Sequence, residues 1–480
     1  MGNAFALVGG RIAGDAALLA FMLLYARSHG ASALGQYALA MSIAGMLSIA
    51  TSLGLNTVLQ RELSRSPGRS AEIAGVILVT QLAAGIASAG LIFAVSFLFF
   101  GPGATRQAIW IMGAYHVLVR LSQSVAARFA GHEQMATWSA LEAAHKIGIL
   151  IIAWVGFRNS WNSVSVLAAY PAMGAALLAS GWMVATSRFG APTLRIEAAA
   201  WRPMVALGLP FLAIQFVLEF YDRIGVVMLE HMRGVTETGL YAAADRPLTI
   251  FTAGLNLLAA AMLPAMARLF IADRRQLAEL YDLGSRLAFV VSLPIAGAIA
   301  MEADAVVELL FGREFGATVP ALEILAWTLP FLGIRFIACT ALVATDQQKF
   351  LFYLECAAAA TYSIAAWLLI PVAGGLALAA SKLASVVVFS AIAAARVGVS
   401  IRSTWWKRAI PGGSVAMLAM AGVHSITDQW GTLVALSAAC AAFALVMVAT
   451  GCVSARDLAG ARRLLRSPNG GVAKERSAAA

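Results

Sequence analysis

Residues 73–100 read IAGVILVTQLAAGIASAGLIFAVSFLFF, twenty-eight positions from Ile73 to Phe100 without a charged side chain. A helix crosses the ~30 Å hydrocarbon core of a bilayer in about 20 residues. This stretch is long enough to cross. Its apolar residues come in long runs and do not alternate with polar ones, which is not the pattern of a barrel strand. In lipid every backbone N–H and C=O needs a partner inside the segment, and a helix supplies it.

The rest of the chain repeats the pattern. Of 480 residues, 61% are hydrophobic and 12% charged, against about 45–50% and 25% in a soluble domain. That composition excludes a soluble enzyme, a disordered chain, a disulfide scaffold and a collagen-like fibre. Breaks at charged, Gly and Pro positions predict spans at roughly 5–26, 37–59, 73–100, 108–127, 136–157 and 164–186, then 204–222, 238–262, 287–310, 321–344, 351–370 and 374–395, and finally 409–427 and 431–453. The expected fold class is an all-α polytopic membrane protein of about fourteen helices. The expected organisation is an N-lobe over 1–186, a linker over 187–203, a C-lobe over 204–395, two further helices within 396–453 and a basic tail over 454–480.

The net charge of +10 is read through the positive-inside rule rather than as a nucleic-acid signal. With the N-terminus in the cytoplasm, 22 of the 34 Lys and Arg residues fall in cytoplasmic segments, 5 on the opposite side and 7 within spans. Both termini are therefore expected in the cytoplasm. The apolar stretch at the N-terminus carries Arg11 and Asp15 and follows no basic region, unlike a cleaved signal peptide. Cys339, Cys356, Cys440 and Cys452 form no CxxC pair and read as small buried hydrophobes, with no metal site expected.

Gly30-Ala31-Ser32-Ala33-Leu34-Gly35-Gln36-Tyr37-Ala38 follows span one, and Gly234-Val235-Thr236-Glu237-Thr238-Gly239-Leu240-Tyr241-Ala242 follows span seven. Gly, Gly, Tyr and Ala recur at one offset. Gly54-Leu55-Asn56 and Gly254-Leu255-Asn256 give a second match. Together they predict two parallel six-helix lobes related by an axis along the membrane normal.

The same residues resemble the start of bacterial polysaccharide-type flippases, the Wzx-like branch of the MOP exporter superfamily. So do Ser52-Leu53-Gly54-Leu55 with Gln60-Arg61-Glu62-Leu63, Asp222-Arg223 followed by Gly239-Leu240-Tyr241-Ala242, Leu263-Pro264, and Phe311-Gly312-Arg313-Glu314-Phe315. The resemblance covers nearly the whole chain. It implies two six-helix lobes with two added C-terminal helices, and movement of lipid-pyrophosphate-linked oligosaccharide across the inner membrane. The implied partners are that cargo, the bilayer and proteins of polysaccharide polymerisation or assembly, with no nucleic acid. Lipid II flippases and multidrug exporters share the fold, so fold alone does not choose the cargo.

An ionisable group at mid-bilayer costs about 2.5–3.5 kcal/mol on insertion scales and needs a partner or a wet cavity. Arg11 with Asp15, and Glu142 with Lys146, lie four apart on single helix faces. Arg120, Arg335 and Lys382 have no opposite charge one turn away, and Arg335 sits closest to the middle of its span. The expectation is a cationic, substrate-binding cavity of Arg11, Arg120, Lys146, Arg335 and Lys382, with Asp15 and Glu142 as its acidic neighbours and candidate sites for H+ or Na+ coupling. Arg120 is expected to reach the interface or Glu142. Such a balance suits a pyrophosphate, because Arg offers planar bidentate donors. Glu219, Asp222, Arg223, Asp245 and Arg246 are expected as a network at the periplasmic mouth. Glu302, Asp304 and Glu308 read as a solvated rim, and Glu355 and Asp346 as part of the cytoplasmic interface. Tyr115, Trp138 and Trp154 are candidate sugar-facing aromatics, though packing is the commoner role.

No P-loop, HExxH or dinucleotide fingerprint is present in the sequence, and no cofactor is expected. The leading expectation is a secondary transporter that flips polyprenyl-pyrophosphate-linked oligosaccharide by alternating access. A drug or metabolite exporter and a lipid II-type flippase stand as alternatives. A membrane-embedded glycosyltransferase would need a long external loop that the span pattern lacks.

Overall fold

The computed structural model describes residues 2–65, 70–193, 198–401 and 406–451, apart from 428 and 430. The expected basic tail lies outside them, as do Cys452 and part of the expected linker. The described residues are helical apart from short turns, with no strand among them. In chain order the helices are α1 (Gly2–Ser52), α2 (Leu55–Arg65), α3 (Ser70–Phe99), α4 (Ala104–Gly131), α5 (Met135–Arg158), α6 (Ser163–Leu167), α7 (Ala169–Phe189) and α8 (Ala198–Arg233). They continue with α9 (Val235–Ala272), α10 (Arg274–Met301), α11 (Ala303–Leu310), α12 (Val319–Ala326), α13 (Thr328–Ala344), α14 (Gln348–Ile401), α15 (Trp406–Thr427) and α16 (Thr432–Ala449).

Helices α1 and α14 contain 51 and 54 residues. At ~1.5 Å per residue each exceeds twice the thickness of a hydrocarbon core, so each is two spans joined at a break. Gly30, at φ 78°, breaks α1, and Gly374, at φ 53°, breaks α14. Gly234, at φ 85°, separates α8 from α9. Only glycine takes such a φ without strain, so the opening glycines of the repeat end one helix and let the next begin at once. Nine helices of the described residues are long and apolar enough to cross a membrane, or ten with the bent pair Arg313–Ala326 and Thr328–Ala344. Counting both halves of the two broken helices, with charged α4 and short α16, is consistent with fourteen spans.

Span seven differs from its expected bounds of 204–222. Helix α8 runs on to Arg233, and Glu219, Asp222 and Arg223 lie in its interior. The repeat also needs one correction. Gly54 takes φ 67° at the break between α1 and α2, whereas Gly254 lies inside α9 with open space about it. The two glycines are not structurally equivalent. Their offset is 200 residues, against 204 for Gly30 and Gly234.

By contacts the described chain forms two compact units. The first holds Met1–Ala243 with Leu310–Phe315 and Ser363–Leu378. The second holds Ala244–Leu309, Gly316–Tyr362 and Ala379–Ala480.

The core of the first unit is aromatic. Tyr170 stands 5.1 Å from Phe21 and 4.9 Å from Tyr115, ring to ring. Tyr37, from the repeat motif, shares a buried 2.8 Å hydrogen bond with the Tyr170 hydroxyl. Helix α8 lies antiparallel along the second half of α1. A Cβ at Gly54 would collide with the Gly208 carbonyl, and one at Gly208 with the Leu53 carbonyl. The start of α9 continues this contact. A Cβ at Gly35 would strike the Val235 carbonyl, and one at Gly239 the Ala31 carbonyl. Val235 is the repeat counterpart of Ala31, so the contact is reciprocal. Backbones approach this closely only where no side chain intervenes.

In the second unit α10 packs against α13, and Leu280, Ala288, Ile337 and Ala338 on these helices are buried. Gly333 is set against Ala288, where a Cβ would come within 3.1 Å.

Candidate functional site

In the first unit, α1 and α5 bring two carboxylates to one lysine. Lys146 Nζ lies 2.9 Å from Asp15 Oδ1 and 2.9 Å from Glu142 Oε1. Gly14 makes room for it, since a Cβ there would sit 2.8 Å from the lysine stem. Arg11 is only loosely attached, at 3.9 Å from Asp15, and its side chain is 73% exposed. Both expected i,i+4 pairs are present, Glu142 with Lys146 closely and Arg11 with Asp15 loosely, and a cross-helix bridge from Lys146 to Asp15 joins them. Lys146 is eleven residues from one end of α5 and twelve from the other. The side chains of Asp15 and Glu142 are 45% and 44% exposed. Ionised groups this open on apolar spans fit a water-filled space better than lipid tails.

A second cluster lies where α8 meets α4 and α1. Arg120 Nη2 donates to Glu219 Oε1 at 2.6 Å, and Arg223 Nε donates to Glu219 Oε2 at 2.5 Å. Arg223 Nη1 also donates to the Met41 carbonyl at 2.7 Å. Gly45 opens the space for that guanidinium, because a Cβ would lie 2.5 Å from Arg223 Cζ. Arg120 therefore pairs with Glu219 and not with Glu142. Asp222, on the same helix, is exposed.

In the second unit Arg335 Nη2 donates to Glu355 Oε2 at 2.6 Å, with both side chains 10% exposed. The Phe389 ring covers the guanidinium at 4.3 Å. Glu355 is therefore a buried counter-ion. Lys382 Nζ donates to Asp245 Oδ1 at 2.6 Å. Arg246 is half-buried. The five residues expected as one mouth network separate accordingly. Glu219 and Arg223 join Arg120, while Asp245 joins Lys382. Asp304 and Glu308 are exposed as expected, but Glu302 is mostly buried, with His424 Nε2 3.6 Å away.

The charge balance changes with these partners. Each of the five expected cations faces a carboxylate, drawn from Asp15, Glu142, Glu219, Glu355 and Asp245. The expected excess over two acids disappears, and Arg223 restores one positive charge at Glu219. Sequence reasoning missed Glu219 and Glu355 as partners because they lie 99 and 20 residues from Arg120 and Arg335. The aromatic expectation also divides. Tyr115 and Trp138 are buried in packed rings, while Trp154 is exposed with Arg158 over its face.

The second unit carries an apolar groove of about 660 Å³ between α9, α10 and α16. Phe251, Pro294, Ile295, Cys440, Phe443 and Met447 are among its lining residues, and no charged side chain lines it.

A family profile described as polysaccharide biosynthesis protein matches residues 1–270, more than half of the chain. The chain belongs to the polysaccharide biosynthesis protein family. No curated protein matches it by sequence. Solved structures do match this polysaccharide biosynthesis protein. The lipid II flippase MurJ in an inward closed conformation aligns over 92% of this chain and 97% of its own, at 12% identity and a TM-score of 0.76. An inward-facing multidrug resistance MATE family transporter of the MOP superfamily aligns over 81% and 94%, at 14% identity and a TM-score of 0.65. A MOP superfamily transporter from Pyrococcus furiosus, described by the reverse polarity of its binding pocket, aligns over 83% and 94%, at 12% identity and a TM-score of 0.57. At such identities the likeness establishes the fold. This polysaccharide biosynthesis protein is a multi-pass membrane protein with the fold of MOP-type flippases and transporters.

Proposed function

We propose that the protein is a secondary transporter of the bacterial inner membrane that flips polyprenyl-pyrophosphate-linked oligosaccharide, with both termini in the cytoplasm. The cargo rests on the family assignment. The transport path rests on one observation, the pair of half-exposed carboxylates that Lys146 holds between apolar spans. A polar head group needs such a wet path, and it needs no chemistry performed on it. The lobes 1–186 and 204–395 rock about that path in the manner of repeat-built transporters. Asp15 and Glu142 are the sites at which H+ or Na+ competes with Lys146 and drives the change.

Deletion followed by analysis of lipid-linked sugars tests this reading. The expected outcome is accumulation of an undecaprenyl-linked unit on the cytoplasmic leaflet, reversed by the wild-type gene. Accumulation of lipid II would move the protein to the other flippase class. Normal intermediates with heightened drug sensitivity would make it an exporter.

A further inference from the structure

Most of the ion clusters inside the helices close one cation on one carboxylate, or two carboxylates on one lysine and an exposed arginine. The cluster of Arg120, Glu219 and Arg223 sets two guanidiniums against one carboxylate. Each oxygen of Glu219 takes a different arginine. Neither arginine makes the two-pronged contact with a carboxylate that its planar fork allows. Two guanidiniums carry ten N–H donors, and the hydrogen bonds to Glu219 and Met41 use three of them. The three side chains are between 13% and 25% exposed, so the site is not sealed. His116, one turn from Arg120 on α4, has a buried Nε2 with no hydrogen-bond partner. The site thus holds surplus donors and a surplus positive charge, with an unsatisfied imidazole nitrogen one turn away on α4. A carboxylate offers too few oxygens and too little charge to saturate it. A phosphate offers more of both.

We propose that Arg120 and Arg223 form a binding site for a phosphate-bearing anion, and that Glu219 is a built-in surrogate for that anion. In the unloaded protein Glu219 keeps both guanidiniums oriented and offsets part of their charge. The incoming phosphate displaces it and engages the unused donors. Glu219 thereby sets the affinity, since the ligand must compete with a tethered carboxylate. The site adds Arg223, held across α1 by Gly45 and the Met41 carbonyl, to the groups that touch cargo. The identity of the anion as a prenyl pyrophosphate rests on the functional reading above; the site does not.

The test uses purified full-length protein and inorganic pyrophosphate. Glu219→Gln keeps the side-chain shape and removes the competing charge. It should bind pyrophosphate roughly tenfold more tightly than the parent, the scale expected for a close charge competitor. Adding Arg223→Gln or Arg120→Gln should abolish the gain. A folded, monodisperse Glu219→Gln protein with unchanged or weaker pyrophosphate binding would overturn the proposal and leave Glu219 a structural counter-ion. A measurement on the unaltered protein guards against a variant that fails to fold. Pyrophosphate should shield Arg120 and Arg223 from phenylglyoxal, as mapped by mass spectrometry, and equal labelling with and without it would overturn the site. Farnesyl pyrophosphate should bind more tightly than pyrophosphate alone. Equal binding would keep the anion site and count against the lipid-linked cargo.

Discussion

Arg335 with Glu355 and Arg120 with Glu219 and Arg223 answer the same problem, a guanidinium inside an apolar helix, in opposite ways. The first sets one guanidinium on one carboxylate, nearly sealed and capped by the Phe389 ring. The second has an odd number of charges and is partly exposed. A sealed neutral pair has no remaining reason to attract a ligand. An open, unbalanced cluster has one. The residue that looks most solitary along the sequence, Arg335, is therefore the one most fully neutralised in the fold.

The largest expected effect comes from breaking the sealed pair from one side. Arg335→Ala leaves Glu355 buried and unpaired and should cost about 3–5 kcal/mol of stability. Replacing both residues by Met should recover most of that loss, because the charges leave together. Thermal unfolding in detergent, normalised to monodisperse protein, reads both variants. If the double variant is stable but cannot transport, Arg335 acts in the mechanism and the contrast with Arg120 fails.

Next in size are the close helix contacts. Gly239→Ala drives a methyl into the Ala31 carbonyl and should cost about 1–3 kcal/mol, the usual range for overpacking. Gly254→Ala, on the same helix but in open space, should be neutral or stabilising by about 0.5–1 kcal/mol from the helix preference for Ala. Equal effects at the two positions would mean that the reciprocal contact with α1 carries no stability.

Within the first unit the cation at the centre should matter more than the one at the rim. Lys146→Met leaves Asp15 and Glu142 without their shared partner and should abolish most transport at normal protein levels. Arg11→Met removes a loose, exposed contact worth at most about 1 kcal/mol, and transport should fall little. A reversed order, read in the same flipping assay, would place the functional cation at Arg11.

Much of the fold was legible in the sequence for a plain reason. Apolar length decides which segments span a bilayer, and Gly30 and Gly234 announce turns that only glycine takes easily. The error in span seven has an equally physical cause. Glu219, Asp222 and Arg223 look like the polar end of a span, but Arg223 and Glu219 satisfy each other and Arg120 across helices, so α8 continues for ten more residues beyond Arg223. The charged residues were legible as a set, and as pairs only where the partners lie one turn apart, as Glu142 with Lys146 and Arg11 with Asp15 do. A pattern within one helix reaches partners three or four positions away, whereas Lys146 and Asp15, or Lys382 and Asp245, are 131 and 137 residues apart. The sign of the cavity depends on those partners, and so it became visible only with the fold.

The smallest effect calibrates the others, because it concerns a charge in water. Asp273 separates α9 from α10 and caps the latter, accepting from the backbone N–H of Arg275 at 2.8 Å and of Gln276 at 3.2 Å. The backbone N–H groups of Gln276 and then Arg275 hold its carboxyl below the ordinary value. A depressed pKa means the stabilisation is complete above the unfolded value, near 4, and fades as pH falls through the folded one. Asp273→Asn keeps a side-chain oxygen at the cap and should flatten that acid-side loss while leaving neutral-pH stability almost unchanged. Asp273→Ala should lower stability slightly at neutral pH and remove the same acid dependence. Both are read by thermal unfolding between pH 3 and pH 7. A loss at neutral pH as large as that of Arg335→Ala would mean that an exposed cap matters as much as a sealed ion pair. The distinction between open and closed charges would then have no energetic content.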